Sequence, residues 1–339
     1  MRVTIAIDAM SGDHGRKITV PAALRALDAH ANLRIILVGQ KQVLAKRLKS
    51  ALRKYGERLL FHHAEEVVEM GEQPSKALRY KKQSSMRLAI NLVKEHRADA
   101  CVSAGNTGAL MATARFVLKT LPGVSRPAIV ALIPTVDPKR FVRMLDLGAN
   151  VDCSPEQLQQ FGIMGSILCQ ATDNIPNPRV ALLNVGVEEM KGNEQVKRAA
   201  ELLSQTRGIH YTGFVEGNDI FNHAADVIVS DGFVGNVALK VMEGEAKLFY
   251  QAASKSLTHS VMSKVGVLFL LPVIRDLKKR LNPARYNGAS LLGLKGIVIK
   301  SHGNTSIRGF FNAIERAIAE VEHNVPKLIS DRVQQLLDQ

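Results

Sequence analysis

The sequence predicts an α/β protein with a mainly parallel sheet covered on both faces by helices. Two observations carry that prediction. Apolar, β-branched runs alternate with helix-spaced segments along most of the chain, and glycine-rich polar stretches recur directly after the runs. A composition shift over residues 257–285, where apolar and basic residues mix without a strand signal, adds a protruding helical hairpin to that body.

Strands are expected at 2–7, 34–38, 58–62, 98–102, 128–133, 141–147, 180–185, 227–230 and 297–300. Helical spacing separates most of them, as in Val43, Leu44, Leu48 and Leu52, or Leu158, Phe161, Ile163 and Leu168. Strands that alternate with helices favour a parallel sheet, because each crossover covers a face. No linker or fixed repeat divides the chain, so 1–339 reads as one domain, with 257–285 an amphipathic excursion within it.

Composition limits the class. The chain has 339 residues, 46% of them hydrophobic and 22% charged, which supplies a sizeable core and excludes a disordered chain. The three cysteines, Cys101, Cys153 and Cys169, are odd in number and far apart, which argues against a disulfide framework and fits a reducing compartment. The opening MRVTIAIDAM lacks a long apolar region and a cleavage site, and the longest apolar run, 265–274, is too short to span a bilayer. A cytoplasmic protein is therefore expected.

The net charge is +14, and it is local. Segments 41–58, 76–97 and 255–285 each hold seven basic residues and one acidic residue, so the rest of the chain is slightly acidic. Such patches meet nucleic acid, an anionic membrane or an acidic protein, unless they are merely solvated helix faces. With no Trp, five Tyr and aliphatic rather than aromatic interleaving, nucleic acid is the least favoured of these.

In open α/β sheets ligands bind beyond the carboxyl ends of strands. IAIDAMSGDHG, CVSAGNTGAL, MLDLGANVDC, LLNVGVEEMKGNE, VIVSDGFVGNVALK and IVIKSHGNTS stand at such places. Their glycines allow close backbone approach, the helix starts behind them attract anions, and Asn, Lys and His side chains add donors. Together they suggest a phosphate site. G-x-G-x-x-G, the P-loop, C-x-x-C, H-E-x-x-H and G-x-S-x-G are absent, so no cofactor and no metal is expected. Asp8, Asp13 and His14 are read as support for the first loop rather than as metal ligands, and the cysteines as small buried residues.

AMSGDHG, SAGNTGALM, SRPAIVALIPT, LDLGANVDC, LLNVGVEEMKGNE, FVEGNDIF, VSDGFVGNVALK, NGASLLGLKG and IKSHGNTS follow one another in an order that resembles the PlsX family of bacterial acyl-ACP:phosphate acyltransferases. The resemblance covers essentially the whole chain. Ser11 departs from it, since the family usually has glycine there; serine suits the position only if no positive φ is required.

The resemblance implies a Rossmann-like α/β/α layered body, similar to phosphotransacetylases and to isocitrate and isopropylmalate dehydrogenases, and a homodimer. It implies transfer of a long acyl chain from acyl carrier protein to inorganic phosphate. The acyl phosphate then serves a membrane-bound glycerol-3-phosphate acyltransferase. On the residues, Lys191 is expected to hold phosphate and Asn236 to donate to the thioester oxygen, with Asp231 orienting Lys191 or a backbone amide. Capping a helix is the alternative role for Asn236. Gly105, Asn106, Thr107, Gly108, Asn193, Gly235, His302 and Gly303 are expected to line the substrate and phosphate site, with Asp8, Gly12, Asp13 and His14 behind them. Leu268, Phe269, Leu270, Lys278, Lys279 and Arg280 are expected to contact an anionic membrane, peripherally. A dehydrogenase on a related fold remains the rival enzyme reading, because isocitrate-type enzymes also lack G-x-G-x-x-G.

Overall fold

In the computed structural model, residues 2–258, 267, 269–276 and 282–337 are described. Eleven strands form one sheet: β1 (Val3–Asp8), β2 (Leu33–Gly39), β3 (Leu59–His63), β4 (Ala100–Ser103), β5 (Ala128–Pro134), β6 (Phe141–Leu145), β7 (Arg179–Leu183), β8 (His210–Val215), β9 (Val227–Val229), β10 (Ala289–Leu292) and β11 (Ile297–Lys300). The order across the sheet is β3-β2-β1-β4-β11-β10-β5-β6-β9-β7-β8.

The pairing is mainly parallel, as expected, but it reverses at the centre. β10 runs antiparallel to β11 and to β5, and β5 antiparallel to β6. The strands from β3 to β11 therefore point one way, and β6, β9, β7 and β8 the other. Two strands escape the sequence reading. β8 contains Gly213 at positive φ and lies at the sheet edge, and β10 is four residues long.

Helices cover both faces. α1 (Arg16–Ala29), α2 (Lys41–Tyr55) and a later helix, α9 (Ile307–Glu322), enclose a core of Ile5, Ile7, Ile35, Val102, Ile299 and Phe310. On the other face α3 (Pro74–Tyr80), α4 (Ser85–Lys94) and α5 (Thr107–Leu118) bury Ala6, Cys101 and Val298 among Ile90 and Leu110. Alternate residues of β1 thus serve opposite cores, as a strand buried on both faces requires. A third core gathers Phe161 and Leu168 of α6 (Pro155–Asp173) with Leu203 of α7 (Glu194–Gln205), Val227, Val229 and Ile329 of α10 (Val325–Leu337).

α8 (Gly232–Thr258) joins the two halves, packing Ala238, Leu239 and Met242 onto the core that holds Ala6 and Val298. It begins 25 residues before the composition shift that the sequence reading took as the start of the excursion. Phe233, Val237, Val241, Leu248 and Phe249 stand exposed along it. Of the expected hairpin, residues 269–276 are helical, with Phe269 82% exposed and Leu270 half-exposed. Pro272 falls inside those helical residues. Leu268, Lys278, Lys279 and Arg280 lie outside the described residues. Among the described residues no helix is long and apolar enough to cross a membrane.

Candidate active site

Strand direction sorts the expected site loops into two sets, and α8 runs from one to the other, its Glu243 lying 3.9 Å from His302. One set follows β1, β4 and β11; the other follows β6, β7 and β9.

In the first set the loops are knit together. The amide of Asp13 donates to Gly303 O at 3.0 Å and that of Ser301 to Ser103 O at 2.8 Å. Gly12 sits at φ 82°, and a Cβ there would meet Gly303 O at 2.9 Å, so the contact of the two loops requires glycine. Ser11 is not at positive φ. Its hydroxyl donates to Asp8 O at 2.7 Å and accepts from the amide of Ala104 at 2.9 Å, so the serine fits its loop and braces the neighbouring one. Asp8 is buried and accepts from the Ser103 hydroxyl at 2.8 Å; burial pushes its carboxyl pKa up.

Asn106 caps α5 by accepting from the amide of Ala109 at 2.9 Å, while its Nδ2 donates to Met70 O and Glu72 O. That leaves Thr107 and Gly108 exposed at the helix start behind Gly105. His302 is exposed; its Nδ1 accepts from the amide of Asn304, and its Nε2 lies 3.9 Å from Glu243 of α8. Burial pushes its pKa down. His14 and Asp13 are exposed beside this cluster. Among the described residues, no three His, Cys, Asp or Glu side chains are grouped to hold a metal ion.

The second set centres on Asp146, which is fully buried after β6. It accepts from the amides of Ile129, Gly148, Ala149 and Asn150 and from Asn150 Nδ2, all within 3.2 Å. This residue organises the loop, and the sequence reading missed it as a functional support. Gly148, at φ 121°, lies against the side chain of Asn236, which is exposed on α8 just after Gly235.

Asp231, not Asn236, caps α8: its Oδ1 accepts from the amide of Val234 at 2.8 Å. Of the two tasks expected for Asp231, the structure supports the backbone amide. Lys191 pairs instead with Glu188 at 2.9 Å, which holds its ammonium above the usual lysine range. Asn193 caps α7 by accepting from the amide of Val196 at 2.9 Å. Lys191 and Asn236 thus follow adjacent parallel strands, β7 and β9, on one sheet edge.

The thiols are not poised to react. Cys101 is fully buried beside Asp8 and its pKa is pushed well up; burial raises Cys153 to about 11 and Cys169 to about 12.

The family described as fatty acid synthesis protein matches residues 3–328. The phosphate acyltransferase of Coxiella burnetii (strain Dugway 5J108-111) is 56% identical over 99% of this chain and 98% of its own length. That of Methylococcus capsulatus is 57% identical over 97% and 96%. A solved phosphotransacetylase from Streptococcus pyogenes superposes with a TM-score of 0.64 over 95% of this chain and 94% of that one, at 16% identity, a likeness of fold alone. With its α/β layers, its glycine-rich loops at the strand ends and this full-length similarity, the chain belongs to the fatty acid synthesis protein family and, within it, to the phosphate acyltransferases.

Proposed function

We propose that the chain moves a long acyl group from the thioester of acyl carrier protein to inorganic phosphate. A phosphate oxygen attacks the thioester carbonyl, a C–O bond forms, the C–S bond breaks, and the thiolate leaves with the carrier. Phosphate is already a nucleophile, so the protein must hold it, orient it and stabilise the oxyanion. Lys191 offsets the charge that gathers on attack, and the Asn236 amide donates to the carbonyl oxygen. Asp231 fixes the first turn on which Asn236 stands, and Asp146 fixes the loop against it.

The observation that carries this reading is the meeting of Asn236 with the Gly148 loop, on the sheet edge that also bears the Lys191 loop. The raised thiol pKa values support direct attack over an acyl-enzyme. The exposed apolar line on α8 suits a second copy of the chain, and the exposed Phe269 and Leu270 suit a membrane surface. The reading therefore includes a homodimer, no cofactor, and a cytoplasmic enzyme that visits the membrane where a glycerol-3-phosphate acyltransferase consumes the acyl phosphate.

Transfer of labelled inorganic phosphate into an acyl phosphate extractable into organic solvent tests the reaction. The labelled acyl phosphate should form only when the chain, acyl carrier protein thioester and phosphate are all present. Turnover with NAD(P) and a hydroxy acid in its place would overturn the reading in favour of a dehydrogenase.

A further inference from the structure

We propose that the loop between β7 and α7, together with Val151 of the loop after β6, is a strip that binds the alkyl chain of the acyl group and sets a preference for long chains. Only the position of the reacting carbonyl rests on the acyl-transfer reading.

The first observation is exposure. Val185, Val187 and Met190 are 79%, 58% and 81% exposed, and Val151 is 64% exposed. Single apolar side chains on a surface are ordinary, but several on connected loops mark a contact site. The two loops are connected: Gln195 Nε2, at the start of α7, donates to Cys153 O at 2.7 Å.

The second is that the loop cannot fold these side chains inward. Asn184 Nδ2 donates to Gly186 O at 3.0 Å and to Lys191 O at 3.1 Å, closing the neck of the loop. The amide of Lys191 donates to Glu188 O at 3.0 Å and turns the chain back. Gly192, at φ 96°, lies against the Asn184 side chain, and a Cβ on Gly186 would run into the side chain of Lys191. The backbone is thus ordered around Asn184 before any ligand arrives, so binding an alkyl chain orders little more.

The third is the shape of the strip. Glu188, Glu189 and Lys191 stand exposed between and beside its apolar residues. A stable subunit interface covers roughly 800 Å² on each partner and is depleted of charge at its centre. A narrow apolar line flanked by charges suits one alkyl chain better. Met190 directly precedes Lys191, so the strip begins at the residue that offsets the charge of attack, and its unbranched thioether adapts to a flexible chain. The apolar line on α8 is left free for a second copy.

The test compares kcat/KM for palmitoyl and octanoyl acyl carrier protein, with phosphate present, in the wild-type chain and in Val187→Ser combined with Met190→Ser. Each methylene withdrawn from water strengthens binding roughly fourfold. The palmitoyl-to-octanoyl ratio should therefore fall at least tenfold in the double variant, and Met190→Leu should keep the wild-type ratio. A purely structural role would lower both rates and leave the ratio unchanged, which would overturn the proposal. Conversion of the double variant to a monomer in sedimentation would also overturn it and give the strip to the subunit interface. Binding of cis-parinaric acid, read by its fluorescence without turnover, should occur in wild type and weaken at least tenfold in the double variant; no binding, or equal binding, would contradict the strip. Acyl phosphate formed with an unchanged ratio sinks the strip and leaves the acyl-transfer reading standing. Parinarate binding that depends on Val187 and Met190, in a chain that forms no acyl phosphate, does the reverse.

Discussion

The side chain of Asn236 lies against Gly148: a Cβ at that glycine would stand 3.4 Å from the Cβ of Asn236, at a backbone φ of 121°. One loop after β6 and the first turns of α8 are thereby set against each other. Asn236→Ala should lower turnover at least tenfold with the fold kept, since loss of a single oxyanion donor typically costs about 3–4 kcal/mol. Gly148→Ala should reduce both activity and stability, because an L residue is strained at that φ. Steady-state rates beside urea unfolding separate the two, and a near-normal rate for Asn236→Ala would make it a bystander.

Lys191→Ala should also cost at least tenfold in turnover. Asp231→Ala should act through stability, by about 1 kcal/mol for a lost cap, with a smaller effect on rate. A larger rate loss for Asp231→Ala than for Lys191→Ala would show that the carboxylate, and not the ammonium, works on the substrate.

Replacing Cys101, Cys153 and Cys169 together by alanine or serine should leave substantial activity in protein that folds. Their thiols are held protonated by burial, and thiolates are needed for nucleophilic work. A labelled acyl group retained on the denatured wild-type chain would contradict this.

Glu320 of α9 gives a pH dependence. It is buried, accepts from the Ser290 hydroxyl at 2.9 Å, and burial lifts its pKa from the ordinary 4.5 to about 7. The folded state then binds the proton more tightly than the unfolded chain, so this group's contribution to stability is present below pH 4.5 and lost as pH rises towards 7. The full change is on the order of 3 kcal/mol. Glu320→Gln should flatten the stability profile between pH 4.5 and 7 in urea unfolding. An unchanged slope would show that the carboxyl titrates normally.

Acidic carrier protein should dock on a basic patch, and the structure narrows the choice of residues. Lys81 is engaged by Glu72 at 2.7 Å and by Val67 O, and Lys54 by Asp28 at 2.9 Å. Arg53 and Lys82 are exposed, and among the described residues neither pairs with a carboxylate. Charge reversal of Lys82 or of Arg53 should raise the apparent KM for the carrier and leave that for phosphate unchanged. The effect should fade with salt, as the Debye length falls from ~10 Å at 0.1 M to ~3 Å at 1 M. An unchanged KM in both variants would move docking elsewhere.

The layered α/β body was legible because strand and helix periods alternate so regularly. The reversal at the centre was not, since β10 is four residues long and nothing in ASLL announces an antiparallel partner. Asp231 and Asn236 both resemble caps in sequence, and the amide of Val234 decides between them. Asp146 was invisible as a hub because its five donors come from backbone and Asn150, within a motif whose letters show only a turn.

The most direct measurement of the central claim is pre-steady-state release of carrier thiol from acyl carrier protein thioester, with and without phosphate. Direct attack predicts no thiol burst without phosphate, and with it one acyl phosphate for each thiol released. A stoichiometric burst in the absence of phosphate would contradict it and establish an acyl-enzyme.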